Sequence, residues 1–192
     1  MYFYFSNSQL VDAGLVLLVL LILVAVLFFE RRRRRSVALR ARYGSEYNLA
    51  VVKHGSSRQA EAKLADREAR VQALNIHDLG NTERDRFVRE WQAVQSRFVD
   101  HPKAAVTEAD DLVNALLEAR GYPKTNFEQR AADVSVSYPH LMENYRVANA
   151  IAVRNGSVLA TTEELRTAMI QYRSIFDELI LAKTPRLEAS AA

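Results

Sequence analysis

Residues 13–29 hold seventeen consecutive positions without a charge or a strongly polar side chain, and the pattern then changes at once. Glu30 follows, then Arg31, Arg32, Arg33, Arg34 and Arg35. Counted from residue 10, the apolar run is about 20 residues, roughly 30 Å of helix, which matches the hydrocarbon core of a bilayer. Asp12 falls near one end, where a carboxylate is far less costly than at the bilayer centre. Tyr2, Phe3, Tyr4 and Phe5 precede it and suit the headgroup region. No Lys or Arg precedes the run, and arginines stand where a signal peptidase would need small residues, so the pattern predicts a retained span over about 10–29 rather than a cleaved leader.

Beyond the arginines the apolar spacing becomes that of amphipathic helices. The span is expected to continue toward Arg42 and to break at Gly44, with a short helix over 45–53 ended by Gly55. Ser56, with Gln59 three residues on, caps a charge-rich helix over 57–73, where Leu64, Val71 and Leu74 leave one narrow stripe. That helix is either peripheral or a stalk. A loop over 74–81 brings Ile76 and Leu79 to the core. Thr82 with Asp85 starts a helix whose Phe87, Trp91, Val94 and Phe98 share a face. Pro102 and Gly121 bracket the most apolar segment outside the span, with Ala105, Ala109, Leu112 and Leu116 on one line. Thr125 with Glu128 predicts a short helix, although the alternation at Val134, Ser135 and Val136 also admits an extended stretch. Pro139 opens a helix with Tyr145 inward, ended by Gly156. Thr161 and Glu164 form the clearest capping box, followed by the stripe Leu165, Met169, Tyr172, Phe176 and Leu179. This stripe serves an intramolecular core or a dimer seam, the core being favoured by its breadth.

The sum is an all-α protein: one N-terminal transmembrane helix, then an irregular bundle of five to six helices. Its expected divisions are 1–35 for the outer tail, span and arginine run, 36–57 for a connecting segment, 58–183 for a helical domain, and 184–192 for a loose tail. The core is assigned to Phe87, Trp91, Phe98, Leu112, Leu116, Tyr145, Leu165, Met169, Tyr172 and Phe176.

Charge changes the picture only once it is located. Lys and Arg total 26 and Asp and Glu 23, a net charge of +3. Setting aside the five arginines at 31–35 together with Asp12 and Glu30 leaves 21 of each sign, so residues 36–192 are neutral and carry no general basic field for nucleic acid. The excess lies beside the span, on its C-terminal side, which places the N-terminus outside and the helical domain in the cytoplasm. The same five arginines are candidates for contact with anionic lipid headgroups, although topology alone accounts for them. There is no cysteine, which excludes disulfides, thiolate nucleophiles and sulfur-ligated zinc.

Candidate chemistry is sparse. His54, His77, His101 and His140 lack a partner histidine at helical spacing, so no local metal pair is encoded. Glu108, Asp110 and Asp111 cluster early in a helix, where acid–base or cation chemistry competes with simple favourability toward the helix dipole. There is no nucleophile elbow, phosphate loop or dinucleotide fingerprint among six glycines. No catalytic residue, cofactor or metal ligand is assigned.

Several stretches together, Arg42-Tyr43-Gly44-Ser45-Glu46-Tyr47, the run over 91–100 beginning Trp91-Gln92, Arg120-Gly121-Tyr122-Pro123, the run over 127–136 and Glu143-Asn144-Tyr145-Arg146, carry a resemblance. The chain resembles an uncharacterised bacterial family of short membrane-anchored helical proteins over most of residues 40–182. The resemblance implies a bacterial inner membrane and brings no activity, ligand or functional residue. The expectation is therefore a single-pass, membrane-tethered interaction or adaptor module, leaning away from an enzyme. Its expected partners are the bilayer and an unidentified protein. The alternative is a membrane-associated enzyme or ligand binder whose site is assembled only by the fold.

Overall fold

The apolar and polar stretches fold entirely as helices and connections in the computed structural model, which describes residues 7–157 and 160–181, with side chains over 15–156 and 160–181. Among the described residues there are eight α-helices, one 3-10 turn and no strand. In order they are α1 (Asn7–Tyr43), α2 (Ser45–His54), α3 (Ser57–Gln72), α4 (Asn81–Arg97), α5 (Pro102–Ala119), α6 (Phe127–Ser137), α7 (Met142–Ser157) and α8 (Thr162–Leu181). The aromatic residues at 2–5 and the tail over 184–192 lie outside the described residues.

Two compact units divide at Arg42 and Tyr43. The first is α1 nearly to its end. From Leu15 to Phe29 its large apolar side chains are 51–67 % exposed, all the way round the helix. Among the described residues no helix is long and apolar enough to cross a membrane. The stretch with described side chains, 15–29, would span only about 22 Å before Glu30 and the arginines begin. Arg31 to Arg35 are all exposed, with Arg34 Nε 3.8 Å from Glu30 one turn back.

The second unit contains α2 to α8, seven α-helices where five to six were expected. The difference comes from α2 and from α6, both short. The expected connecting segment over 36–57 is divided: residues from Tyr43 onward belong to this unit. Tyr43, Tyr47 and Ala50 are 1 %, 0 % and 2 % exposed, which no linker would be. They pack with Ala60, Leu64 and Val71 of α3 as a small apolar layer separate from the main core. Tyr43 and Tyr47 donate their hydroxyls to Glu68 and Glu61 of α3, at 2.8 and 3.0 Å. The charge-rich α3 is thus a packed peripheral helix, with α2 on one side and α6 on another.

The main core gathers α4, α5, α6, α7 and α8. Helix α5 is central, in contact with α4, α7 and α8. Its Ala105, Val106, Ala109, Val113, Leu116 and Leu117 are fully buried, the alanines allowing the neighbouring backbones close. Trp91 of α4 stacks on Phe176 of α8 with ring centroids 4.8 Å apart, and Phe127 meets Tyr145 edge-on at 4.9 Å. Of the ten residues assigned to the core, nine are buried; Phe98 is half-buried against its edge. Val134, Ser135 and Val136 are helical and buried, since facing α3 as well as α7 leaves no polar side to that part of α6.

Helix ends follow local chemistry. Ser56 Oγ accepts from Gln59 N at 3.3 Å. Thr161 and Glu164 cap reciprocally: Glu164 Oε2 accepts from Thr161 N at 2.8 Å, and Thr161 Oγ1 accepts from Glu164 N at 3.2 Å. The α6 cap is one residue later than expected, because Asn126 Oδ1 accepts from Gln129 N at 2.9 Å in place of the Thr125 hydroxyl. Helix α4 begins at Asn81 behind Gly80, with no side-chain cap from Thr82. Pro139 opens a single 3-10 turn before α7. After α5, Gly121 adopts φ +95°, and a Cβ there would stand 2.2 Å from Asn75 O.

Two outcomes follow. Gly121→Ala combines the positive φ with a clash against backbone, so it should destabilise the full chain by at least about 2 kcal/mol in urea unfolding; a change under 0.5 would contradict the close approach. The Thr161 backbone and side-chain hydrogen bonds hold the Glu164 carboxyl below its ordinary value of 4.5. A depressed carboxylate contributes stability above that ordinary value and loses it as pH falls through the folded one. Amide protection factors over 162–165 should therefore fall below about pH 4.5 ahead of those of the α8 interior.

An arginine-lined cleft as candidate functional site

Helices α2, α3, α6 and α7 enclose a cleft of about 660 Å³, within the range of small-molecule sites. One face of α3 supplies most of its charge. Lys63, Asp66, Arg67 and Arg70 recur at spacings of 3, 1 and 3, which places them together on the helix. Helix α2 adds Leu49, Ala50, Lys53 and His54; α6 adds Glu128, Gln129 and Ala132 behind its cap Asn126; α7 adds Arg146.

Two carboxylates with almost no access to water hold these cations. Glu46, 3 % exposed, accepts from Arg146 Nη2 through both oxygens, at 2.9 and 3.0 Å, and has Arg67 Nη1 3.9 Å away. Asp133, 1 % exposed, accepts through Oδ1 from Arg70 Nε at 2.8 Å, from Arg70 Nη2, and from Gln129 Nε2 at 3.2 Å. At the rim, Lys63 pairs with Asp66 at 3.1 Å and Lys53 with Glu128 at 4.0 Å. Arg67 differs from its neighbours. Its side chain is only 16 % exposed, and its buried Nη1 has no hydrogen-bond partner among the described residues.

None of these residues was assigned a role from sequence, because the partners are far apart along the chain: 100 residues separate Glu46 from Arg146 and 63 separate Arg70 from Asp133. The one local signal was the polar face of α3, which on its own reads as a solvated surface.

The sequence candidates go elsewhere. Two of the three acidic residues are engaged in structure: Glu108 accepts from Arg97 at 2.7 Å, and Asp110 accepts from the Tyr172 hydroxyl at 2.7 Å and from Asn114 at 3.3 Å, while Asp111 is exposed. Asn114 Oδ1 in turn accepts from the Tyr145 hydroxyl at 3.2 Å, so a polar seam joins α7, α5 and α8. Burial pushes Tyr145 up to about 12, and burial with the adjacent Asp110 raises Tyr172 further. Asp111 is raised by partial burial and by Asp110 and Glu108. The histidines do not converge: His54 borders the cleft, His77 Nδ1 lies 2.9 Å from Asn75 O, His101 precedes α5, and His140 Nε2 is 3.9 Å from Glu178. Among the described residues no group of His, Asp and Glu could hold a metal ion. A second hollow of about 200 Å³ lies by Phe98, Met169 and Ile170. Its arginines, Arg166 and Arg173, already face Glu163 and Asp177.

No family model matches the chain, and neither the curated proteins nor the solved structures contain a match to it.

Removing one member of a buried ion pair leaves the other desolvated and unpaired. Glu46→Gln should therefore cost about 3 kcal/mol in equilibrium unfolding, with part of the loss recovered on adding Arg146→Met. A loss in the double variant equal to the sum of the two single losses would show that the pair is not coupled.

Proposed function

We propose that this chain is a membrane-tethered helical interaction module, with α1 as a single-pass anchor and α2 to α8 as the cytoplasmic part. One observation carries the anchor: fifteen successive positions of α1, 15–29, are exposed and apolar on every side of the helix. A helix apolar all round needs an apolar surrounding, and lipid supplies it. In sequence the uncharged run starts at residue 13 and, counted from residue 10, has the length that a bilayer core requires. Arg31 to Arg35 on its C-terminal side favour the orientation with the N-terminus outside. The setting consistent with the family resemblance is a bacterial inner membrane.

An interaction role is favoured over catalysis by how the charged groups are used. Of the three carboxylates that sequence offered for acid–base work, Glu108 and Asp110 accept hydrogen bonds from arginine, tyrosine and asparagine side chains, and the buried Glu46 and Asp133 elsewhere hold arginines in place. A tethered domain gains effective concentration toward other proteins of the same surface without any new contact.

Expressed in bacteria, the chain should remain in the membrane pellet through alkaline carbonate extraction. Leu21→Arg, costing about 2.5–3.5 kcal/mol at mid-helix on insertion scales, should move it to the supernatant. Release of the unaltered chain by carbonate would end the anchor proposal. Since the chain has no cysteine, single substitutions report orientation cleanly. The Ser6→Cys variant should react with an impermeant maleimide in intact cells and the Thr107→Cys variant only after permeabilisation; the reverse pattern would overturn the orientation. In-cell crosslinking should yield a recurrent protein partner that disappears when residues 43–192 are deleted, and self-crosslinks alone would count against an adaptor.

A further inference from the structure

Among the cations that line the cleft, Arg67 stands apart. Its guanidinium is always charged and offers five N–H donors. Its side chain is 16 % exposed, yet its buried Nη1 has no hydrogen-bond partner among the described residues; Glu46 Oε2 stands 3.9 Å off. A buried donor without a partner, as Arg67 Nη1 is, is costly, and the cost is relieved by an acceptor that enters the cleft. Arg146 donates to Glu46 through Nη2 alone, leaving the rest of its fork uncommitted. Lys63 lies one helical turn before Arg67 on the same face of α3; it is 57 % exposed and its ammonium, at 3.1 Å from the exposed Asp66, has further donors for a ligand.

We propose that the cleft binds a small phosphomonoester, with its phosphate seated against Arg67, Arg146 and Lys63. Guanidinium forks match phosphate oxygens, and a tetrahedral group offers enough oxygens for several cations at once, whereas a carboxylate offers two, as Glu46 already does. Glu46 holds Arg146 before a ligand arrives, so little of that side chain's freedom is lost on binding. The remaining volume, walled by Leu49, Ala50 and Ala132, takes the organic body of the ester. The phosphomonoester is either a soluble metabolite or a lipid headgroup of the phosphatidic acid type, and the chemistry of recognition is the same. This inference goes beyond the tether and stands or falls separately from it, because the site lies wholly within α2 to α7.

The test uses the full chain in neutral detergent micelles, titrated with inorganic phosphate and with glycerol 3-phosphate at constant ionic strength, with chloride as control. Calorimetry and the Arg67 Nε–Hε resonance are the readouts. Glycerol 3-phosphate should bind saturably and shift that resonance, phosphate should compete, and chloride should do neither. Arg67→Gln should weaken binding at least about tenfold, as loss of a charged hydrogen bond does. Should Arg67→Gln unfold, the exposed Lys63→Gln decides, with an expected loss of about threefold or more. In nanodiscs, a shift on adding phosphatidic acid but not the soluble ester, abolished by either substitution, would assign the ligand to lipid. No saturable response to ester, phosphate or phosphatidic acid up to about 10 mM would overturn the proposal and leave the cleft as a hydrated gap. Equal binding by both variants would overturn it as well.

Discussion

A carboxylate that cannot reach water has to be paired, and in this chain that requirement joins the outer helices to the inner ones. The outer layer of α2 and α3 buries only a modest apolar set around Tyr43, Tyr47 and Leu64, separate from the main core. It is therefore held by more than hydrophobic burial. Glu46 ties α2 to α7 through Arg146, and Asp133 ties α6 to α3 through Arg70. Such pairs add little net stability relative to well-packed apolar residues of the same volume, because desolvation offsets most of the attraction. They do penalise every arrangement that separates the partners. The cleft follows as a geometric consequence, since long arginine side chains reaching across to carboxylates hold the helices apart where apolar side chains would let them close.

The inner layer obeys a different rule. Helix α5 is enclosed by α4, α7 and α8, and its alanines at 105 and 109 let those neighbours approach. One set of polar groups there is mutually satisfied, in the seam from Tyr145 through Asn114 and Asp110 to Tyr172, whereas the buried Tyr122 and Tyr138 hydroxyls have no hydrogen-bond partner among the described residues. Arg120 is satisfied in part. It is 1 % exposed and donates through Nη1 to Leu179 O of α8, while Nε and Nη2 have no hydrogen-bond partner among the described residues and Asp78 stands 3.9 Å away. Its ring neighbour Tyr138, 6.0 Å from the guanidinium, supplies a face for cation–π attraction. Arg120 thus reaches a carbonyl near the end of α8 at some energetic cost.

Features set by a few neighbouring residues were legible in the sequence, and those set by distant partners were not. The Thr161–Glu164 box, the Ser56 cap, Pro102 at the start of α5 and Gly121 beyond its end each depend on contacts within four residues, so the chain spells them out. The strong stripe of α5 marked it as central for the same reason. The α6 cap was displaced by one position because Thr125 and Asn126 both suit it, and only the fold chooses between them. Residues 43–57 passed for a connection because their anchors are tyrosines and a glutamate, residue types more often found at surfaces. Arg67 and Arg70 share one face of α3, but no spacing relates them to Glu46, Asp133 or Arg146. Their meeting depends on how α2, α3, α6 and α7 pack, and Arg120 beside Gly121 likewise looked like an ordinary helix end.

The same paired groups bear on what kind of function the helical unit suits. Acid–base catalysis needs a carboxyl oxygen within reach of the reacting group, and Glu46 has both of its oxygens engaged by Arg146. Recognition has the opposite need, for charges that stay fixed while a ligand comes and goes. Glu46 and Asp133 meet it by holding Arg146 and Arg70 in place, and their negative charge also tempers the field the arginines present. On the proposed ligand chemistry, a tempered field favours reversible occupancy over permanent capture, because part of each phosphate contact is offset by the carboxylate behind it. A bare cluster of three arginines would bind anions more tightly and discriminate less. An arginine with a buried, unpaired donor between two held ones, as Arg67 is, concentrates the gain at one point in the cleft, so occupancy there registers in the α2–α3 layer that the buried pairs keep in register.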